Sequence, residues 1–170
     1  PWAPSTAPAG RFVVLGLYNP RPGPCGRSLP WPDEPLDAAF FRRQLERALA
    51  LRARGQAQPP ALCRLVWSEA DGLPGLVVDR YGFVLVMQCL TLGMARLRST
   101  IVEALGRLVG DAQVFDMDEE AAARLEGFSA ARGWARGFGP RSVRVNEGGV
   151  GFDVTIGVGP RTYLDEMLAE

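Results

Sequence analysis

One short segment constrains the fold of this 170-residue chain more than any other: residues 68–82, Ser-Glu-Ala-Asp-Gly-Leu-Pro-Gly-Leu-Val-Val-Asp-Arg-Tyr-Gly. Its closely spaced Gly72, Pro74 and Gly75 predict a tight turn, and the apolar run that follows, residues 76–78, is typical of a strand. We place a second turn at residues 79–82 and a second strand directly after it. Both runs are apolar on each face, so the sequence predicts a β-hairpin covered by helices.

Capping residues and apolar periodicity place further elements around this hairpin. Asp37 is suited to cap a helix whose apolar stripe begins at Phe40 and Phe41, and Gly55 is a stop signal. The other predicted elements are strands at 62–67 and 113–116, helices at 95–108 and 119–126, a loop at 132–141, and a hairpin of strands 142–146 and 150–156. The order β-β-α-β predicts a mixed α/β domain, α+β in character.

The N-terminal third has few signals for regular structure. Residues 1–10 are rich in Pro and Ala and are expected to be flexible. A strand is predicted over 11–18, whereas residues 19–35 contain too many prolines for regular structure. The first residue is Pro, so we interpret the sequence as trimmed at its N-terminus or as lacking most of a first domain.

Composition limits the classes of function. The formal net charge is zero, which argues against a strongly basic, free-standing nucleic-acid binder. All 19 basic residues are arginines, and the chain has no histidine. No apolar run is long enough to span a membrane and no signal peptide is evident, so a cytoplasmic protein is expected.

The three cysteines do not form a recognisable site. Cys25, Cys63 and Cys89 are widely spaced, without a Cys-x-x-Cys pair or a histidine partner. We therefore expect no metal site and no Cys-His or Ser-His nucleophile pair within the chain. Cys63 and Cys89 lie in strand-like runs, where a small buried apolar role is expected.

Several segments share a family resemblance. The stretch Glu-Ala-Asp-Gly-Leu-Pro-Gly-Leu-Val-Val-Asp-Arg-Tyr-Gly resembles a signature of S-adenosylmethionine-dependent methyltransferases that modify C5 of cytosine in large-subunit ribosomal RNA and begin with a PUA domain. Residues 16–20 resemble the end of that PUA domain, and residues 40–52 resemble the family's linking helix. Residues 88–94, 125–128 and 146–152 follow in the family's order at about its spacing. The resemblance therefore extends from about residue 11 to the C-terminus.

The resemblance implies a division of the chain. It predicts a flexible N-terminus and a remnant of the PUA-like β-barrel over 1–29, and a linker with the linking helix over 30–60. The central α/β domain would occupy 61–140. Residues 141–170 would form a hairpin and the start of a methyltransferase domain with a Rossmann-like fold.

The linking helix supplies the candidate RNA-binding residues. Arg42, Arg43, Arg47 and Arg52 could contact RNA phosphates, with Arg54 beside them. A solvated helix face with Glu46 as a local partner is the simpler interpretation of the same charges. Both interpretations remain open from the sequence.

The resemblance also points to a cofactor-proximal loop near the C-terminus. Residues 159–167 match a family motif at Gly159, Thr162, Tyr163, Leu164 and Asp165, but two residues are missing after Thr162 and the motif's last two residues are replaced. Thr162, Tyr163 and Asp165 are therefore candidate cofactor-binding residues in an altered loop.

The catalytic parts that the resemblance implies are not found within residues 1–170. The sequence has no Gly-x-Gly-x-x-Gly turn, no acidic residue placed to bind ribose, and no cysteine in a nucleophile motif. We assign no catalytic residue. We expect S-adenosylmethionine to be the cofactor of the full-length protein and expect none to bind this chain alone.

Three functions remain open. The full-length protein could be a ribosomal RNA methyltransferase of which this chain is the N-terminal and central part, positioning RNA and coupling domains. Alternatively, the chain is a non-catalytic RNA-binding or interaction module, or a degenerate relative with an altered loop. Ribosomal RNA is the expected partner, no membrane is expected, and a homodimer is left open.

Overall fold

The computed structural model describes residues 2–6, 12–19, 26–29, 35–110, 112–147 and 149–158. It confirms a mixed α/β fold in which short helices accompany three sheets. The elements are β1 (Trp2–Thr6), β2 (Phe12–Tyr18), β3 (Gly26–Leu29), α1 (Ala38–Ala53), β4 (Leu62–Trp67), β5 (Leu76–Tyr81), β6 (Val84–Cys89), α2 (Leu92–Arg96), α3 (Arg98–Leu108), β7 (Gln113–Met117), α4 (Glu120–Glu126), β8 (Arg132–Arg136), β9 (Ser142–Glu147) and β10 (Val150–Thr155).

A five-stranded sheet in the order β4-β5-β6-β7-β8 organises the chain. All neighbours are antiparallel except β6 and β7, which run parallel. A parallel pair needs a crossover connection, and α2 and α3 supply it. The edge strands are therefore β4 and β8.

Helices α1 and α3 cover one face of this sheet. Ile101 and Leu105 of α3 and Phe41 of α1 are fully buried there, together with the sheet residues Leu85 and Met87. The predicted cap is present, since Asp37 Oδ1 accepts a hydrogen bond of 2.8 Å from the Phe40 amide. At the other end of α1, Arg54 adopts a left-handed conformation.

The β9–β10 hairpin covers the opposite face, where we had expected helices. Val143, Val145, Val154 and Ile156 pack there against sheet residues that include Phe115. A β-hairpin suffices because one of its faces is apolar and the other is exposed. The central strands are thus buried on both faces, as predicted, but by two different kinds of structure.

The first hairpin turn lies later than predicted. Asp79 and Arg80 continue β5, and the turn is formed around Gly82, whose φ is +60°. Asp79 is fully buried in the strand because Arg64 on the neighbouring strand neutralises it. A charged residue within an apolar run was therefore misinterpreted as a turn residue.

Two further elements differ from the sequence prediction. The predicted helix 95–108 is two helices, which begin after a Thr91 cap and are separated at Leu97. The segment 132–141, predicted as a loop, contains β8, which pairs with β7. The sequence did not predict this strand because its first residues, Arg132 and Gly133, do not favour β structure.

The N-terminal segments contain more strand than predicted. Strand β1 lies within the segment expected to be flexible, and β3 lies within the proline-rich connection. Both pair antiparallel with β2, which was predicted as a strand. At the end of β2, the Asn19 side-chain amide donates to the Glu126 carbonyl at 2.8 Å.

Among the described residues, no helix combines the length and the apolar character that a membrane crossing requires.

Truncating α3 tests this packing. We expect Ile101→Ala or Leu105→Ala to lower the free energy of unfolding by about 2–5 kcal/mol, because each side chain is fully buried between α3 and the sheet. Leu125→Ala is the control, since that side chain is 68% exposed. Urea titrations measure both, and equal small losses for the buried and exposed sites would contradict the placement.

Candidate nucleic-acid interface

The predicted arginines of α1 have different surroundings. Arg42 and Arg47 are exposed, and Arg43 is half-buried. Arg42 forms an i, i+4 ion pair with Glu46, with 3.2 Å between Nη1 and Oε1. Exposed pairs of this kind contribute little to stability. Arg43 and Arg47 also interact with other groups of the chain.

A cleft of about 690 Å³ lies where the C-terminal end of α1 meets β4. Its described lining includes three arginines and no acidic side chain; the lining residues are Leu51, Arg52, Ala53, Arg54, Gln56, Pro60, Cys63 and Arg64. The sequence did not predict the cleft, because its two sides are separated by the connection between α1 and β4.

Arg52 is held by the segment that opens the signature stretch. Its Nη1 and Nη2 atoms lie 2.5 and 2.7 Å from the two carboxylate oxygens of Asp71. Its Nε donates to the Arg64 carbonyl at 3.0 Å. Asp71 also accepts the Trp67 amide, so this bidentate pair joins α1 to β4 and the turn after it. Arg52 therefore helps to shape the cleft, and its guanidinium is engaged by protein groups.

Arg64 forms a second bidentate pair on the sheet. Its Nε and Nη2 atoms donate to the two carboxylate oxygens of Asp79 at 2.8 and 3.0 Å. The Arg64 guanidinium also lies 4.3 Å from the ring centroid of Trp67, a cation–π distance. Trp67 is 47% exposed, so an aromatic surface lies beside the Arg64 side chain, which lines the cleft.

The cleft therefore contains both arginines that are paired with carboxylates and an arginine that is exposed. Asp71 and Asp79 neutralise two of its arginines, whereas Arg54 is exposed and extends the arginines of α1. Leu51 is 65% exposed and adds an apolar contact. Guanidinium groups beside an exposed indole suit a phosphate and a stacked base. Trp67 and Arg64 were not singled out from the sequence, although their position just before the signature stretch was a usable signal.

Cys63 lines the same cleft but is not activated. Burial raises the pKa of its thiol to about 11, although Arg80 and Arg52 oppose this shift. Its Sγ lies 3.3 Å from the Pro60 carbonyl. Burial similarly raises the pKa of Cys89 to about 12. Neither thiol is a nucleophile at neutral pH, because reactivity requires the thiolate.

The carboxyl ends of the parallel strands β6 and β7 are where an α/β sheet could hold a nucleoside cofactor. Asp118, directly after β7, is 1% exposed. Its oxygens accept the Cys89 amide at 2.8 Å, the Ala131 amide at 2.9 Å and a guanidinium hydrogen bond from Arg98. This carboxylate is therefore occupied by the protein itself.

The end of β6 is filled as well. Thr91 is buried, and its side chain lies where a Cβ on Gly75 would have to stand. No glycine-rich turn follows β6, so the described residues do not fit S-adenosylmethionine. The predicted cofactor contacts Thr162, Tyr163 and Asp165 lie outside the described residues. Within the described part of the chain, no cluster of metal-ligating side chains occurs.

Two solved structures have a fold similar to that of this chain. The chain superposes on a candidate SAM-dependent methyltransferase from Streptococcus mutans with a TM-score of 0.77 and 15% identity, covering 99% of this chain and 44% of that one. A second candidate methyltransferase, solved in complex with SAH, gives a TM-score of 0.78 at 13% identity over 43% of its length. At these identities the similarity establishes the fold.

Relatives with similar sequences give a more specific comparison than the solved structures do. The chain is 38% identical over 137 residues to ribosomal RNA large subunit methyltransferase I of Alteromonas mediterranea. It is 32% and 34% identical, over 92% of its length, to the proteins of the same name from Vibrio cholerae and Klebsiella pneumoniae. The chain spans between 34% and 41% of the length of these relatives. No protein-family model matches it.

The raised pKa of Cys63 gives a test of the cleft. In a Cys25→Ser variant, we expect the iodoacetamide alkylation rate of Cys63 to keep rising through pH 10, because its pKa is about 11. The rate for an ordinary thiol levels off above about pH 9. Mass spectrometry of the modified peptide measures the rate, and a plateau near pH 9 would show that Cys63 is not desolvated as described.

Proposed function

We propose that this chain is the RNA-positioning part of an S-adenosylmethionine-dependent methyltransferase that acts on cytosine C5 of large-subunit ribosomal RNA. The observation that carries the proposal is the 32–34% identity over 92% of the chain to ribosomal RNA large subunit methyltransferase I of two bacteria. The fold shared with candidate SAM-dependent methyltransferases agrees with it. The choice of cytosine C5 rests on the sequence resemblance.

The described residues support a positioning role for this chain within such an enzyme. Neither buried thiol can act as the nucleophile, and the carboxylate at the end of β7 is occupied by protein groups. The arginines of α1 and the arginine-lined cleft offer contacts for an anionic polymer. We therefore propose the cofactor for the full-length protein and RNA phosphate for α1.

The domain boundaries belong to the same proposal. We propose the end of a PUA-like domain over 1–29, the linker and linking helix over 30–60, the central domain over 61–140, and the start of the methyltransferase domain over 141–170. The similarities to known proteins give no support for a homodimer, and we do not propose one.

A second candidate function is a non-catalytic RNA-binding module. The observation that favours it is the poor fit of S-adenosylmethionine to the described residues, since Asp118 and Thr91 fill the ends of β6 and β7. Both candidate functions require α1 to bind RNA, so a test of RNA binding does not distinguish them. They differ in whether the full-length protein uses S-adenosylmethionine.

Charge reversal on α1 tests RNA binding. We expect the chain to bind single-stranded ribosomal RNA fragments with a dissociation constant of about 10⁻⁴ to 10⁻⁶ M, the range of non-specific contacts at physiological salt. Arg43→Glu with Arg47→Glu should abolish binding, because two attractive charges become repulsive. Fluorescence anisotropy at several salt concentrations measures the effect, and wild-type affinity should fall steeply as salt rises.

A matched control separates the site from the total charge. Arg107→Glu with Arg124→Glu changes the net charge equally, at exposed positions on α3 and α4. We expect this control to weaken binding only slightly. Equal losses in the two double variants would show that α1 is not a specific contact surface.

Cofactor binding is expected to be absent in this chain alone. Because the glycine-rich turn and the acidic ribose contact are not found in the sequence, we expect isothermal titration calorimetry with S-adenosylmethionine to give no measurable heat of binding. Titration of the chain with RNA under the same conditions is the positive control. Micromolar cofactor binding would place the cofactor site within these 170 residues and contradict the assignment of a positioning role.

A further inference from the structure

The segment from β8 to β9 is rich in arginine. Residues 127–146 contain four arginines and no acidic residue, although the chain has zero net charge. The segment runs along β8, which is an edge strand, and through residues 137–141 into β9. We call the exposed part formed by Arg136, Phe138 and Arg141 the β8 edge surface.

Phe138 is the central feature of this surface. Its side chain is 88% exposed, the largest exposed fraction among the exposed large apolar residues described. The ring is therefore accessible to an external partner.

The backbone on both sides of Phe138 is held by close contacts. Gly137 has φ of +66°, and a Cβ there would overlap the Gln113 side chain of β7. A Cβ on Gly139 would lie 2.9 Å from the Trp134 ring, which packs edge-on against Phe115 at a centroid distance of 5.1 Å. Both glycines are thus needed for the loop to lie on the sheet. The loop that carries Phe138 is therefore packed closely against the sheet.

The arginines on this surface differ in how they are engaged. Arg144 is paired with Asp153 across the hairpin, with 2.7 Å between Nη2 and Oδ2, so we leave it out. The Arg136 guanidinium lies over Gly106 of α3, where a Cβ would approach it to 2.5 Å. Arg136 and Arg141 are exposed, and in the described part of the chain neither makes an ion pair with a carboxylate.

We propose that the β8 edge surface binds single-stranded RNA, with one base stacked on Phe138 and the flanking phosphates bound by Arg136 and Arg141. The inference rests on the proposed function and adds a second contact surface to α1. Stacking on an aromatic ring combined with guanidinium contacts is how single-stranded nucleic acids are held without sequence preference. Unopposed positive charge on an exposed aromatic loop favours this partner over an apolar protein segment.

Two probes separate base stacking from charge. We would compare a 12-nucleotide oligouridine with a 12-unit abasic ribose-phosphate strand, which carries the same charges without bases. Phe138→Ala should weaken binding of oligouridine about tenfold and leave binding of the abasic strand unchanged. Phe138→Tyr should restore the affinity, because it retains the ring. Leu125→Ala, at another exposed apolar side chain, is the control and should have no effect.

The arginines of the β8 edge surface should affect the salt dependence of binding. Arg136→Gln with Arg141→Gln should weaken both probes and reduce the slope of log affinity against log salt by about 1.4, since each phosphate contact on a single strand contributes about 0.7. Phe138→Ala should leave this slope unchanged. Thermal unfolding of each variant checks that the exposed substitutions leave the fold intact.

The outcomes distinguish this inference from the proposed function. If reversal of Arg43 and Arg47 abolishes RNA binding while Phe138→Ala leaves oligouridine affinity unchanged, Phe138 does not stack on a base and this inference alone is overturned. Loss of oligouridine affinity in Phe138→Ala with α1 reversal having no effect supports the β8 edge surface and overturns the α1 interface. Equal losses for oligouridine and the abasic strand in Phe138→Ala also overturn the stacking inference.

Discussion

The hairpin of β5 and β6 is buried on both faces, and the rest of the sheet depends on this burial. All six residues of β6 are buried, so each of its faces requires an apolar cover. Helices α1 and α3 provide one cover and the β9–β10 hairpin provides the other. The edge strands β4 and β8 lie at the limits of this core; Trp67 is the last residue of β4, and Phe138 lies in the loop after β8.

Buried carboxylates link this core to the surface. Asp79 lies within β5 and holds Arg64, which in turn supports Trp67. Asp71 holds Arg52 and the Trp67 amide, and so joins α1 to the beginning of the signature stretch. Removing one partner of a buried pair leaves an uncompensated charge, which is strongly destabilising. The two pairs therefore make the shape of the cleft a property of the fold rather than of mobile side chains.

The arrangement gives two arginine-bearing surfaces at opposite edges of one sheet. The α1 cleft lies beside β4 and the β8 edge surface lies at the other end of the strand order. Four strand spacings of about 4.8 Å separate the two edge strands by about 19 Å. A single RNA strand that crosses this distance would contact both proposed surfaces.

Local sequence signals correctly predicted the elements whose residue types favour the structure that they form. Asp37 before an apolar stripe predicted α1, and the apolar runs beside the Gly-Pro-Gly turn predicted β5 and β6. The prediction failed where distant partners decide the structure. Asp79 lies within a strand because Arg64 neutralises it, and β8 forms because β7 offers a free edge. The second cover is a hairpin whose apolar face, formed by residues such as Val143 and Val154, packs on the sheet. The cleft was missed because it depends on how the connection between α1 and β4 folds back, which local signals do not show.

The central claim is that this chain contacts RNA through α1 and the β8 edge surface. Ultraviolet crosslinking of the chain to large-subunit ribosomal RNA, followed by mass-spectrometric mapping of the modified residues, tests it most directly. We predict crosslinked peptides that contain Trp67 or residues 42–54 and, separately, Phe138. Crosslinks confined to other parts of the chain, or absent at concentrations that give saturated binding, would contradict the claim.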